Sequence, residues 1–568
     1  MSGLFGTLGV ARSALFANQL VLQTTANNVA NAGRTDYTRQ RVDLTASMPE
    51  TLPVGQLGTG VTVAGIRRLR DRFLDQQFST AQQTLGEQQA EQTTLTQIES
   101  ILGEPSDTGL QASLSSFFTA LGDVANNPED STTRRAAVEQ GAILANDLQR
   151  ASNGLDGLKR NLESEIAGRL SEANDLLKEI GTLNGQVQAV VVAGGSPNDL
   201  MDRRDSDLDA LSKLLPVVRV ERPDGTIQVS LAGGGGTLVD GTAVGMLEAQ
   251  LSSTGDDYQV TLGGTVVNVI GGEVAGLLHS RNDSTGYVKY TQGQLDTLAS
   301  TLIVEMNRIQ ASGAAAVGVQ AATMQYQVTD PTAPLGTAGL PFGLTVPGSL
   351  TVFVYDQTTG AVTGSGSITV DAATTLNDLA GQFGAIAGLS ANVSGGTLSL
   401  SAGAGLSFRF SGDTSNVLPA LGLNAFFTGT NARTIAVNPA LRADPRLLST
   451  GYADPATGVV GAGDNQAALA MAGLSAKKIL EGGTASLTDF YAETVGTIGA
   501  RTAAANNQVE SQTLVTQTIQ NQRQQVSGVS IDEEMIELTK AQRAFEASAQ
   551  TIRVVDELLD TVVNRMLQ

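Results

Sequence analysis

Asp205, Asp207 and Asp209 stand at alternate positions, the spacing with which an EF-hand loop presents its first calcium-binding oxygens. The match ends there. Ala210 occupies the place where that loop needs glycine for its sharp turn, and Pro216 the place of the bidentate glutamate. The triplet is therefore expected to be a solvated polar helix face shared with Arg203 and Arg204. His279 is the sole histidine, which rules out a multi-histidine metal site, and no positioned nucleophile stands ready for it. Surface or boundary packing is its expected role. Gly233–Gly236 runs into Thr237-Leu238 instead of the Gly-Lys-Ser/Thr of a phosphate loop, so it reads as a flexible turn. Gly461-x-Gly463 meets Gln466 where the dinucleotide fingerprint has its third glycine. The carboxylate pair of a glycosidase has no local spacing rule, so nothing in the sequence points to one. The chain also lacks Trp, a common sugar-stacking platform. With no Cys, thiolate nucleophiles, disulfides and Cys-based metal sites all fall away together. No catalytic, cofactor-binding or metal residue is assigned, and the chain is not expected to be an enzyme.

The wider composition agrees. A chain of 568 residues exceeds what one hydrophobic core fills, so several domains are expected. A hydrophobic fraction of 41% is ample for burial. The formal net charge of -21 argues against binding a nucleic-acid backbone and suits a protein held apart by self-repulsion until a specific surface assembles. The opening Met1-Ser2-Gly3-Leu4-Phe5 lacks the basic region of a cleavable signal, and no apolar run is long enough to insert in a membrane.

What the sequence does position is two apolar stripes, one at each end. Leu8, Leu15, Leu22 and Val29 recur every seven residues, with Leu4, Ala11, Asn18 and Thr25 on a companion track. Ile531, Leu538, Phe545, Ile552, Leu559 and Met566 repeat likewise, flanked by Ala541, Ser548, Val555 and Val562. Ser530 with Glu533 predicts a capping box at the start of this second helix, and Gly528 a break before it. These stripes predict coiled-coil helices that order when paired with each other and with neighbouring subunits, and that stay unpaired and disordered in the monomer.

Between the ends, 73–192 reads as helical, with Asn126-Asn127-Pro128 stopping one helix. Val217–Leu231 reads as a hairpin in which Val218 and Val220 alternate with polar residues before a Pro223-Asp224-Gly225 turn. From about 322 to 460 the composition shifts to Gly, Thr, Ser and Val, with short strands and one helix around Leu376, Leu379 and Phe383. The expected class is mainly α with β-rich insertions. Residues 1–40 with 528–568 form a terminal coiled-coil domain and an inner axial core. Residues 41–321 with 461–527 form an elongated helical bundle, including a β-hairpin region near 215–270. Residues 322–460 form an inserted α+β outer domain.

Asn27-Asn28-Val29-Ala30-Asn31-Ala32, followed by Tyr37-Thr38-Arg39-Gln40, resembles the N-terminal signature of the flagellar rod, hook and hook-associated axial proteins, and the hook-associated members in particular. Val526–Met535 with Ala541-Gln542-Arg543-Ala544-Phe545 resembles the C-terminal signature of the same family. Asn198–Asp205, Gly276-Leu277-Leu278 with Arg281-Asn282, and Ala436–Pro439 are similar to its internal segments. One departure is Arg34-Thr35-Asp36, where the family has a tight turn such as Pro-Gly before the tyrosine; Asp can support such a turn. The resemblance implies a secreted structural subunit at the hook–filament junction, exported unfolded through the flagellar type III apparatus after transit through the cytoplasm. It further implies self-assembly in a helical axial lattice through the terminal helices. The implied neighbours are the hook protein and a second hook-associated protein, with a cytosolic chaperone on the C-terminal helix before export. The alternatives are a flagellin or another axial junction subunit, an adhesin, and a flagellum-borne glycan-cleaving enzyme acting through the central insertion.

Overall fold

The computed structural model describes residues 2–34, 36–52, 55–104, 106 and 109–566. Helices dominate, and small antiparallel sheets punctuate them. In chain order the helices are α1 (Ser2–Asn31), α2 (Arg72–Leu102), α3 (Leu110–Asn126), α4 (Ser131–Val192), α5 (Asn198–Leu214), α6 (Gly272–Asn282) and α7 (Val288–Ser312). There follow α8 (Leu376–Gly384), α9 (Val417–Leu421), α10 (Pro439–Ala443), α11 (Gln466–Gly473), α12 (Leu487–Ser527) and α13 (Ile531–Met566). The mainly α class with β-rich insertions is the architecture found.

The chain forms two compact units. One holds residues 1–93, 162–282 and 504–568, the other 94–161 and 283–503. In the first, α1 packs along α13 and also against the antiparallel pair Gln40–Ala46 and Val61–Arg68. The predicted hairpin is present, with Val217–Glu221 paired to Ile227–Leu231. Alternation left open which of its faces is buried. Val217, Ile227, Val229 and Leu231 are buried, whereas Val218 and Val220 stand exposed. The cause is Arg219, which turns inward to meet the carboxylates of Asp75 and Asp205 and so sends its two valine neighbours outward.

Two internal segments singled out by sequence find physical roles in this unit. A methyl added at Gly276 would stand 2.4 Å from the Glu87 carbonyl, so glycine is what lets α6 approach the backbone of α2. Arg281, 1% exposed, pairs with Glu163 at 2.6 Å and donates to the Asp256 carbonyl at 2.8 Å. Asn282 exchanges two hydrogen bonds with the backbone of Tyr258, fixing the strand Tyr258–Leu262 beside the helix.

In the second unit, the β-rich segment carries a core of its own, including Val352, Val354, Ile368, Leu379, Phe383, Phe408 and Phe410. Its short helix is α8, opened by a capping box between Thr375 and Asp378. Asn438 caps α10 by accepting from the Ala440 amide at 3.0 Å, with Pro439 at the first helical position.

Candidate assembly site at the paired chain ends

The terminal seam is built from the two stripes. On α1, Leu4, Leu8, Leu15, Leu22 and Val29 are half-buried and Ala11 is buried. On α13, Leu538, Phe545, Ile552, Leu559 and Val562 are half-buried, and Ala541 and Val555 are buried. Ile531 is not brought into this seam: it is 55% exposed. The side chain of Met566 lies outside the described residues. The ends therefore pair within one chain, which corrects the expectation that they stay unpaired in the monomer. Pairing covers one stripe on each helix and leaves another bare, with Phe5 58%, Phe16 61%, Met535 49% and Ile536 56% exposed.

Toward the end of α1 the seam turns polar, and the signature residues meet there. Asn28 is 1% exposed and makes four hydrogen bonds. Its Nδ2 donates to the Gln40 carbonyl at 2.9 Å and to Glu534 Oε2 at 2.8 Å. Its Oδ1 accepts from the Tyr37 hydroxyl at 2.8 Å and from the Gln40 amide at 3.0 Å. Arg39 reaches across to α13, placing Nε 2.7 Å from Glu534 and a terminal nitrogen 2.8 Å from Glu533. Its backbone amide donates to the Ser527 carbonyl at the end of α12, 2.9 Å away. Glu533, expected to close a cap on Ser530, thus serves Arg39. Asn27 and Asn31 bond to each other at 3.0 Å, and Asn27 lies 3.4 Å from the Tyr37 hydroxyl. Burial, with Asp199, Asp202 and Glu534 nearby, pushes the Tyr37 hydroxyl well above its ordinary value. Arg34 and Asp36 pair at 2.7 Å; Thr35, on which the shape of that turn depends, lies outside the described residues.

The clasp is tied in turn to α5. Gln40 Nε2 donates to Asp199 at 3.2 Å, and the Thr38 amide donates to Asp202 at 3.1 Å. Here the sequence expectation fails. Of the residues expected on a solvated face, only Arg203 is exposed; Asp207 and Asp209 are half-buried, Arg204 and Asp205 are buried, and so is their neighbour Asp202. Arg68 bridges Asp202 at 2.9 Å and Asp205 at 2.7 Å, while Arg70 binds Asp75 at 2.8 Å. Arg523 from α12 binds Asp75 at 2.9 Å and Asp209 at 2.8 Å, and its guanidinium lies over the Phe78 ring. Burial works to raise the Asp205 carboxyl, yet Arg70, Arg68 and Arg219 together hold it below the usual carboxylate range. For Asp202 and Asp209 burial wins, and both are raised. On α5 the alternate spacing that suggested calcium ligands instead leaves Asp205 and Asp209 on one side and turns Asp207 to the other. Asp205 faces the arginines, Asp209 meets Arg523, and burial with Glu179 nearby pushes Asp207 up to about 6. Among the described residues no cluster of three His, Asp or Glu could hold a metal ion. His279 is half exposed, its Nδ1 2.6 Å from Glu91.

The residues that meet in this clasp come from three of the five segments that carry the family likeness. A model of the flagellar hook-associated protein FlgK helical domain matches residues 95–324, and one of the flagellar basal body rod FlgEFG protein C-terminal region matches 516–566. Flagellar hook-associated protein 1 of Bacillus subtilis is 30% identical over 578 residues, covering 100% of this chain and 99% of the relative. The chain belongs to the flagellar hook-associated protein 1 family. Its role is a structural one in the bacterial flagellum. The relatives from Salmonella typhimurium and Escherichia coli, 28% and 26% identical, each cover 98% of the chain and are covered to 98% by it. The fold is that of the flagellar hook junction protein FlgK from Burkholderia pseudomallei, with a TM-score of 0.51 at 22% identity over 79% of this chain and 100% of the other. No described helix is long and apolar enough to cross a membrane.

Proposed function

We propose that the chain is a non-enzymatic building block that enters the junction lattice through the paired α1 and α13. The observation that carries this reading is the clasp. Asn28, Arg39 and Glu534 lock both chain ends into one unit, whose outer stripe, Phe5 and Phe16 with Met535 and Ile536, stays bare. Such a stripe is stable in water only at a cost, and a neighbouring copy would remove it from solvent. The paired ends form the inner axial domain in this reading, the segments 41–321 with 461–527 the helical bundle, and 322–460 the outward insertion. The subunit is secreted unfolded by the flagellar type III apparatus, its C-terminal helix covered beforehand by a cytosolic chaperone. It then seats between the hook protein and the second hook-associated protein. A chain without any disulfide-forming residue is compatible with threading a narrow channel.

The test is a subunit ending before Ile531, supplied to cells lacking the wild-type chain. It is expected to accumulate as a soluble protein whose second unit keeps its hydrogen-exchange protection, and to be absent from isolated hooks, which carry no filament. Recovery of filaments on hooks made with this truncated chain would overturn the role given to the terminal pair.

A further inference from the structure

A cleft of about 500 Å³ opens beside the clasp, between the end of strand Val61–Arg68, the start of α5 and the hairpin strand Val217–Glu221. It belongs wholly to the first unit. In a chain of net charge -21 its lining is cationic, with seven arginines against three carboxylates. Six of the seven have a carboxylate within ion-pair distance: Arg67, Arg68, Arg70, Arg72, Arg219 and Arg222.

Arg204 does not. It is 3% exposed, and one of its terminal nitrogens donates to Asn184 Oδ1 at 2.9 Å and the Gly225 carbonyl at 2.8 Å, both neutral acceptors. Among the described residues its Nε has no acceptor. Burial and the nearby Arg68 and Arg219 pull its guanidinium below its ordinary value, opposed by Asp205 and Glu221. A buried cation whose carboxylates stand beyond ion-pair distance is costly, and an anion drawn directly against it is correspondingly favoured. The start of α5 adds to the pull. Pro197 precedes it with no side-chain cap, and Ser196, Pro197 and Asn198 line the same cleft, so the positive end of the helix dipole lies along its wall.

We propose that this cleft is an anion site that takes one small oxyanion, of carboxylate or phosphate type, against the Arg204 guanidinium and the N-terminus of α5. The planar fork of an arginine suits both oxyanions and discriminates them from chloride. One bound charge suffices, because every other arginine of the cleft already has its carboxylate. Since Arg68 and Asp202 in the same cluster hold Thr38, the bound oxyanion also stiffens the join between the clasp and α5.

The test is scanning calorimetry of the full-length protein, titrated with acetate and, separately, inorganic phosphate, each against chloride at matched ionic strength. Either oxyanion is expected to give a saturable rise in Tm of roughly 2 °C or more over chloride. Acetate and phosphate acting alike would mark a general oxyanion site, and one acting alone would name its preferred geometry. Because Arg204→Met can weaken the fold, a second variant is decisive. Met201→Glu places a carboxylate on the same cleft wall one turn earlier, and is expected to raise the Tm in chloride and abolish the oxyanion response. No difference between oxyanions and chloride in the wild-type chain, or an undiminished oxyanion response in Met201→Glu, would overturn the proposal.

Discussion

Asn28 is the point on which both chain ends converge, and its substitution reads out the clasp directly. In Asn28→Ala the Gln40 amide and carbonyl and one Glu534 oxygen lose their partner in a buried setting. A loss of about 2 kcal/mol is expected, since an orphaned buried polar group costs about 1–3 kcal/mol. Hydrogen exchange of α1 and α13 checks it: protection there falls, while that of α8 in the other unit stays. A second residue-scale expectation concerns Asp207, raised to about 6 by burial first and Glu179 second. Its folded value lies above its unfolded one, so the neutral form is favoured on folding. That contribution is full below the unfolded value of 3.8 and is lost as pH climbs through about 6. Asp207→Asn is therefore expected to stabilise the first unit by about 1 kcal/mol at pH 7.5, a shift discounted for partial exposure, and progressively less toward pH 4. Urea midpoints at the two pH values decide it; an equal gain at both would contradict the assignment. At this scale the sequence was only partly legible. Tyr37, Arg39 and Gln40 stood out through family likeness, but the ion cluster around Asp205 did not. Its arginines, Arg68 with Arg70, Arg219 and Arg523, come from three separated segments that no local spacing connects.

At the scale of elements, periodicity was a reliable guide to which helices exist and a weaker one to what they face. The positions chosen by heptad spacing on α1, and on α13 all those described but Ile531, are buried or half-buried, because a helix lays every third or fourth residue on one side. Where two apolar rows run along one helix, spacing cannot say which row meets the partner chain end and which stays bare. The hairpin was legible as a hairpin, but alternation only fixes two faces, and the buried carboxylates decided in favour of the Arg219 face. Two variants separate the two rows. Val555, 3% exposed, lies in the seam, and Val555→Asp is expected to cost about 3 kcal/mol or more and to release both helices to proteolysis. Phe16, 61% exposed, lies on the bare row, and Phe16→Asp is expected to change stability by less than about 0.5 kcal/mol. Limited proteolysis of the purified chains distinguishes them: Val555→Asp is cut at both ends, Phe16→Asp at the wild-type rate. In cells, both variants are expected to fail at the hook, one through lost pairing and the other through a lost neighbour contact.

At the scale of the whole molecule, two compact units, each with its own buried residues, divide the work between the paired ends and the β-rich segment. Composition made the second of these visible, since the shift to Gly, Thr, Ser and Val marks short strands. The division by compactness was not visible, because α2, α4 and α12 each contribute residues to both units and carry no break in pattern where the division falls. If each unit stands on its own core, damage to one should leave the other intact. Phe408 is fully buried, its ring 5.4 Å from that of Phe410, and Phe408→Ala removes a large apolar volume from the second unit. The cost is expected to be about 3–5 kcal/mol. Calorimetry should show one component of the unfolding trace moving down while another stays in place, as two-state behaviour is not expected of such a chain. Exchange protection around Asn28, Arg39 and Glu534 should be unchanged, and at a temperature where the second unit remains folded the variant should still take its place on the hook. A uniform drop of the whole trace, with the clasp loosened too, would mean that the long helices make the chain one cooperative body and that its ends cannot be tuned apart from its middle.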